Sequence, residues 1–169
     1  MEIRSLLETL RDLVREVRST YALQARLAAT QGAVGRITIV ALVGGERDRE
    51  LLSRLAAENR WVLHLAANCG EAWDALNESK APIVLCDREL PATEWRDVIR
   101  MMVSSEHQAY VILVSKVMDD YLWNEVIRRG GHDLLPTPLR EEHVLRAIRL
   151  GWSYWNSMKV QPVLMKHYR

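Results

Sequence analysis

Apolar positions along the chain follow two rhythms, and the change between them falls near Gly35. Residues 2–30 contain neither Gly nor Pro. Their apolar side chains fall at Ile3, Leu6, Leu7, Leu10, Leu13, Val14, Val17 and Tyr21, with Leu23 and Leu27 beyond. Steps of three and four residues put these on one broad helical stripe. Arg4, Glu8, Arg11, Asp12, Arg15, Glu16 and Arg18 occupy the other side. Glu8 with Arg11, and Asp12 with Arg15, are spaced to meet on a helix surface. The segment 1–31 therefore reads as one amphipathic helix, ended by Gln31-Gly32-Ala33-Val34-Gly35. Its stripe is wider than a coiled-coil seam and has to be covered. It folds back on its own domain or pairs with a second copy. The expectation adopted is a homodimer through Ile3, Leu7, Leu10, Val14, Val17 and Tyr21, because the chain from residue 36 onward reads as a complete domain without it.

From residue 36 short apolar runs alternate with amphipathic segments. The pattern predicts strands at 37–43, 61–66, 82–87, 110–115 and 132–135. It predicts helices at 47–58, 71–78, 94–103, 119–129 and 140–157. Five βα units with short connections are the mark of a parallel sheet wrapped on both faces. The fold class expected is α/β, a flavodoxin-like doubly wound sheet in the order 2-1-3-4-5, over a domain 36–157. Residues 158–169 read as an irregular tail. In that strand order the ends of the first and third strands meet, which sets Asp87 beside Val43 and Gly44.

Composition changes this picture little. With 49% apolar and 27% charged residues in 169, the chain is an ordinary globular protein. A net charge of +1 gives no global field for nucleic acid or an anionic membrane. No run approaches the roughly 18 apolar residues of a membrane span, and no signal-peptide pattern opens the chain. The expected location is the cytoplasm, where Cys69 and Cys86 serve as small buried hydrophobes. Aromatics are skewed to six Trp and five Tyr with no Phe, for which we have no physical account.

The most informative stretch is Ile83-Val84-Leu85-Cys86-Asp87, an apolar run ending in one carboxylate and followed by Arg88-Glu89-Leu90-Pro91. An acid at the carboxyl end of a buried strand sits where open α/β sheets place their chemistry. Three stretches at this mutual spacing resemble the receiver domain of two-component response regulators. Asp87-Arg88-Glu89-Leu90-Pro91 resembles the phospho-accepting aspartate and the loop after it. Val111-Ile112-Leu113-Val114-Ser115 resembles the fourth strand with its Ser/Thr. Arg129-Gly130-Gly131-His132-Asp133-Leu134-Leu135-Pro136-Thr137-Pro138-Leu139 resembles the run around the fifth strand. The resemblance covers residues 36–155.

The resemblance implies a phospho-acceptor at Asp87, a switch hydroxyl at Ser115 and a cis peptide bond at Thr137-Pro138. It also implies an acidic pair for Mg²⁺ and a phosphoryl-neutralising lysine. These fall on Val43 and Gly44, which carry no ligand oxygen, and on Thr137, which carries no charge. The aromatic that some receivers turn inward falls on Leu134. The expectation is a degenerate receiver: no catalytic residue, metal or cofactor, and a protein partner in signalling. Trp152, Tyr154 and Trp155 mark the closing helix as an interface, toward a partner or toward the N-terminal helix or tail.

Two alternatives stay open. Glu46, Asp48 or Glu89 could substitute as metal ligands for a working phospho-receiver at Asp87, although Glu46 and Asp48 are also placed to cap the helix they begin. The turn at Gly44-Gly45 could instead cradle a nucleotide or another small phosphate ligand. His64, His107, His132 and His143 lack ligand spacing and read as surface or satisfied residues.

Overall fold

A computed structural model describes the backbone of residues 36–165 and the side chains of residues 36–159. The elements are β1 (Thr38–Leu42), α1 (Glu46–Asn59), β2 (Val62–Leu65), α2 (Cys69–Ser79), β3 (Ile83–Asp87) and α3 (Trp95–Val103). There follow β4 (Tyr110–Ser115), α4 (Asp120–Arg128), β5 (Asp133–Pro136) and α5 (Glu141–Met165). All strand pairs are parallel, in the order β2-β1-β3-β4-β5. This is the architecture the apolar rhythm predicts.

The central strands show why. Every residue of β3 and β4 is buried, and alternate side chains feed two separate cores, as the strand's period of two requires. Val84, Cys86, Val111 and Leu113 pack with Leu76, Val98, Ile99, Met102, Leu122 and Val126 from α2, α3 and α4. Ile83, Leu85, Ile112 and Val114 pack with Leu52, Leu55, Val144, Ala147 and Ile148 from α1 and α5. β2 is half-exposed along its length, as befits an edge strand. The short helices are fixed at their starts by side chains. Asn68 accepts from the Glu71 amide at 3.0 Å while the Glu71 carboxylate accepts from Ala67 N at 2.8 Å. Asp119 accepts from Leu122 N at 2.7 Å.

One glycine is dictated by packing. At Gly151 a Cβ would stand 2.7 Å from Tyr110 Cδ1 and 3.3 Å from Ile83 Cδ1. Helix α5 crosses the first residues of β3 and β4 at a separation that a side chain would forbid.

Most predicted boundaries lie within two residues of the observed ones, and the end of the last helix differs more clearly. α2 starts at Cys69 rather than 71, because Asn68 supplies the cap. α5 continues to Met165 where an irregular tail is predicted from 158, and it passes through Pro162. The Thr137-Pro138 bond is cis, as the resemblance implies. Ile3, Leu7, Leu10, Val14, Val17 and Tyr21 lie outside the described residues. Among those that are described, no helix is long and apolar enough to cross a membrane.

Candidate functional site

The carboxyl ends of β1, β3, β4 and β5 converge, and Val43, Gly44, Asp87, Ser115 and Thr137 lie at or just past them. Asp87 is the last residue of β3 and is 8% exposed. Both of its carboxylate oxygens accept backbone hydrogen bonds: Oδ2 from Gly44 N at 3.1 Å and Oδ1 from Glu89 N at 3.0 Å. The switch-point geometry thus brings Asp87 and Gly44 together as the strand order requires. The contact, however, is a carboxylate held by an amide, not a pair of acids.

Val43 is buried with its hydrocarbon in the α1/α5 core. A Cβ at Gly44 would meet Asp87 Oδ2 at 3.5 Å, ordinary van der Waals contact. Nothing steric excludes a side chain there. The acid is absent by sequence.

Ser115 ends β4, fully buried, and its hydroxyl oxygen accepts from Val117 N at 3.0 Å. Its carbonyl accepts from Thr137 N at 3.0 Å. Thr137, just past the end of β5, donates its hydroxyl to Asp48 Oδ2 at 2.5 Å. Asp48 Oδ1 accepts from Leu139 N at 2.8 Å.

Asp48 is the residue that sequence reasoning misplaces. It sits in the first turn of α1, where an acid suits the helix dipole, but its carboxylate is 4% exposed and makes no side-chain cap. Instead it crosses to the β5–α5 loop and ties both flanks of the cis Thr137-Pro138 bond to α1. No local signal could reveal a contact that spans 91 residues of chain. The faint hint is Gly45 as an N-cap with no side chain of its own, which leaves Asp48 nothing to reciprocate.

The other proposed substitute ligands are equally unhelpful to a metal. Glu46 is exposed at the start of α1. Glu89 pairs with Arg88 at 3.5 Å. Arg49 brings a guanidinium nitrogen to 3.5 Å from the Val43 carbonyl, so a cation already approaches the end of β1. The resemblance implies Mg²⁺, which takes a near-octahedral shell of oxygens and is usually held by more than one anionic group. The residues present do not fit it. Asp87 is a single carboxylate with both oxygens engaged, Val43 is hydrocarbon, and the Gly44 amide is a donor. Among the described residues no group of three His, Cys, Asp or Glu could hold a metal ion.

The rest of the sequence-predicted surface is partly consumed by the domain itself. Leu134 is buried on the α2/α3/α4 side. Trp152 and Trp155 stack with centroids 5.6 Å apart. Trp155 Nε1 donates to the His107 carbonyl at 3.2 Å, and the Lys159 ammonium lies 3.4 Å from the Trp155 ring centroid. Both indoles are half-buried.

His132 stacks on Tyr110 at 4.7 Å and meets Tyr154 edge-on at 5.0 Å. Its Nδ1 accepts from Val111 N at 3.1 Å, so the imidazole extends the sheet ladder one step beyond β5. Burial pushes its pKa down to about 4, which keeps it neutral and able to accept.

On α4, Glu125 is a buried carboxylate reached by three guanidinium groups: Arg129 at 2.7 Å, Arg128 at 3.3 Å and Arg96 at 3.5 Å. The Arg96 contact ties α4 to the start of α3, and the other two lie within α4 and its C-terminal cap. Outside that anchor, Val117, Met118, Tyr121 and Ile127 are four of the five exposed large hydrophobics among the described residues.

No family model and no curated protein matches the sequence. Solved structures do match the fold. The chain is similar to a CheY-like response regulator receiver domain from Methanospirillum hungatei at 14% identity and a TM-score of 0.62, over 73% of this chain and 99% of that one. It is similar to the signal receiver domain of an HD domain-containing protein from Pseudomonas fluorescens at 20% identity and 0.65, over 73% and 99%. A response regulator from Thermotoga maritima matches at 19% identity and 0.59, over 68% and 98%. At such identities the likeness is one of fold, and the chain has the fold of a response-regulator receiver domain.

Proposed function

We propose that this chain is a non-catalytic pseudo-receiver, a protein–protein interaction module in signal transduction that does not use Mg²⁺-dependent phosphorylation. One observation carries the reading: each polar group at the receiver positions already has a partner inside the protein. Asp87 is held by two amides, Ser115 takes the Val117 amide, and Thr137 is bound to Asp48. Phosphoryl transfer to a carboxylate gathers negative charge and needs a metal ion or clustered cations to offset it. Asp87 would instead receive a phosphoryl group without a second metal ligand and without the lysine.

The rival reading, a working phospho-receiver with substitute ligands, loses its best candidate because Asp48 is committed to the β5–α5 loop. A nucleotide cradle at Gly44-Gly45 is disfavoured because the Gly44 amide already donates to Asp87. Incubation with Mg²⁺ and acetyl phosphate, read by intact mass, tests the proposal. No adduct is expected, and a stoichiometric phosphoryl gain abolished by Asp87→Asn would overturn it.

The partner reading is drawn from the surface. Exposed apolar groups concentrate on the β4–α4 loop and α4, and a face of that kind marks an interaction site. We assign this face, with neighbouring α5, to a signalling partner, and residues 1–31 to homodimerisation in the cytoplasm. Light scattering on a variant lacking residues 1–31 tests the second assignment: a dimer is expected for the full chain and a monomer for the variant, and monomers for both would sink it.

A further inference from the structure

The feature that the receiver fold leaves unexplained is the length of α5. The helix runs antiparallel to the strands, from the end that carries Asp87 toward the end where β1 begins. Gly151 is level with the first residues of β3 and β4. Trp155 reaches the His107 carbonyl, in the loop that leads into β4. Ten more residues continue the helix to Met165. At 1.5 Å per residue they carry it about 15 Å past the edge of the sheet.

Such an overhang does not hold itself together. Isolated helices shorter than roughly 12–15 residues are marginal in water. Pro162 lies inside this one, where its missing N–H leaves the Met158 carbonyl without its helical donor, a loss of about 3 kcal/mol in an unsupported helix. Its sequence, Asn156-Ser157-Met158-Lys159-Val160-Gln161-Pro162-Val163-Leu164-Met165, contains five apolar residues besides proline and a single charge. That charge, on Lys159, sits over the Trp155 ring. A helix that continues through a proline with so little charge needs a packed neighbour.

We propose that the neighbour is the N-terminal segment 1–31 of the same chain. The part of its stripe nearest the linker, Tyr21, Leu23 and Leu27, offers the apolar surface the overhang lacks. Its tether also reaches. The chain enters β1 at the same end of the sheet from which α5 projects. β1 and β4 are two strand spacings apart, with β3 between them. This is about 10 Å sideways, and a further ~10 Å separates packed layers, so the direct path is about 14 Å. The five-residue linker 31–35 spans about 17 Å when extended. A tether that short holds the segment near the overhang at an effective concentration in the millimolar range, ahead of any second copy at ordinary protein concentrations. A helix over residues 2–30 is about 42 Å long, so the overhang covers about a third of it. The remainder stays available for a homodimer, so docking and dimerisation stand or fall separately.

Hydrogen exchange on the full chain tests the docking. Amides of residues 156–165 are expected to be protected, and removal of residues 1–31 is expected to speed their exchange at least tenfold while β3 and β4 amides are unchanged. The double variant Leu23→Asp/Leu27→Asp, which keeps the chain length, is expected to act in the same direction. Undiminished protection of 156–165 in both variants overturns the proposal. So does protection in the full chain that disappears on dilution in step with a falling mass by light scattering, because that assigns the overhang to a second copy.

Discussion

Replacing Asp48 by Ala is expected to destabilise the domain by about 2–4 kcal/mol, although the residue lies in the first turn of a helix, where alanine is ordinarily well tolerated. The magnitude follows from what the carboxylate holds. Leu139 is 5% exposed, and its amide donates to Asp48 Oδ1 at 2.8 Å. An amide orphaned in that environment costs about 1–3 kcal/mol. Thr137 loses a charge-assisted bond of 2.5 Å but is only half-buried, so its hydroxyl can turn to water and adds about 1 kcal/mol or less. Loss of an acid from the first turn of α1 adds about 0.3–1 kcal/mol through the helix dipole.

Urea unfolding followed by far-UV circular dichroism reads the change as a lower midpoint at constant slope. Asp48→Asn retains one acceptor oxygen and is expected to lose about half as much. Thr137→Val should cost about 1 kcal/mol in the wild type and almost nothing in the Asp48→Ala background, because the two side chains share one bond. Asp48→Ala within 0.5 kcal/mol of wild type, or strict additivity with Thr137→Val, would refute the claim that Asp48 ties the loop to α1.

Three further outcomes rest on other contacts. Stability should fall as pH drops from 6.5 through about 4: the folded-state pKa of His132 lies below its unfolded value, so the neutral form's advantage is complete above 6.5 and is lost on acidification. The term is at most about 3 kcal/mol from a shift of this size. His132→Asn, which can offer Val111 N an amide oxygen, should flatten the difference between urea midpoints at pH 7 and pH 4.5, and parallel profiles would count against it. Gly151→Ala should lower the melting temperature despite alanine's better helix propensity, by about 1–3 kcal/mol of overpacking against Tyr110; a rise would show that α5 shifts freely. Gly44→Asp adds a second carboxylate beside Asp87, and millimolar Mg²⁺ is expected to raise its melting temperature while leaving the wild type unmoved; the reverse pattern would expose a metal site in the native chain.

The fold was legible because both of its signals are local. A strand buried on both faces reads as an unbroken apolar run, and β3 and β4 are such runs. A helix over a core reads as a stripe, as in Leu51, Leu52 and Leu55 of α1. The strand order came from the βα rhythm and the handedness of its crossovers rather than from any one residue. The tail was illegible for a complementary reason. Pro162 is a strong local stop signal, and a sequence pattern cannot weigh it against tertiary context.

The candidate site divides along the same line. Which groups are missing could be read from the chain directly, since Val43, Gly44 and Thr137 have the wrong chemistry wherever they point. What the remaining groups do could not, because each of their contacts is long-range or runs through the backbone. Asp87 with Gly44 N spans 43 residues and Asp48 with Thr137 spans 89. This distinction bears on the proposed pseudo-receiver reading. Removing a lysine from beside an acid leaves a buried carboxylate exposed to the full cost of burial. Here Thr137 supplies a hydroxyl in place of the ammonium, and the Leu139 amide supplies the second donor. The Asp48 carboxylate is buried and held by these two hydrogen bonds, with no ion pair among the described residues. A structure in which Thr137→Lys drew the Asp48 carboxylate away from Leu139 N would show that the clamp and the receiver chemistry compete for the same acid.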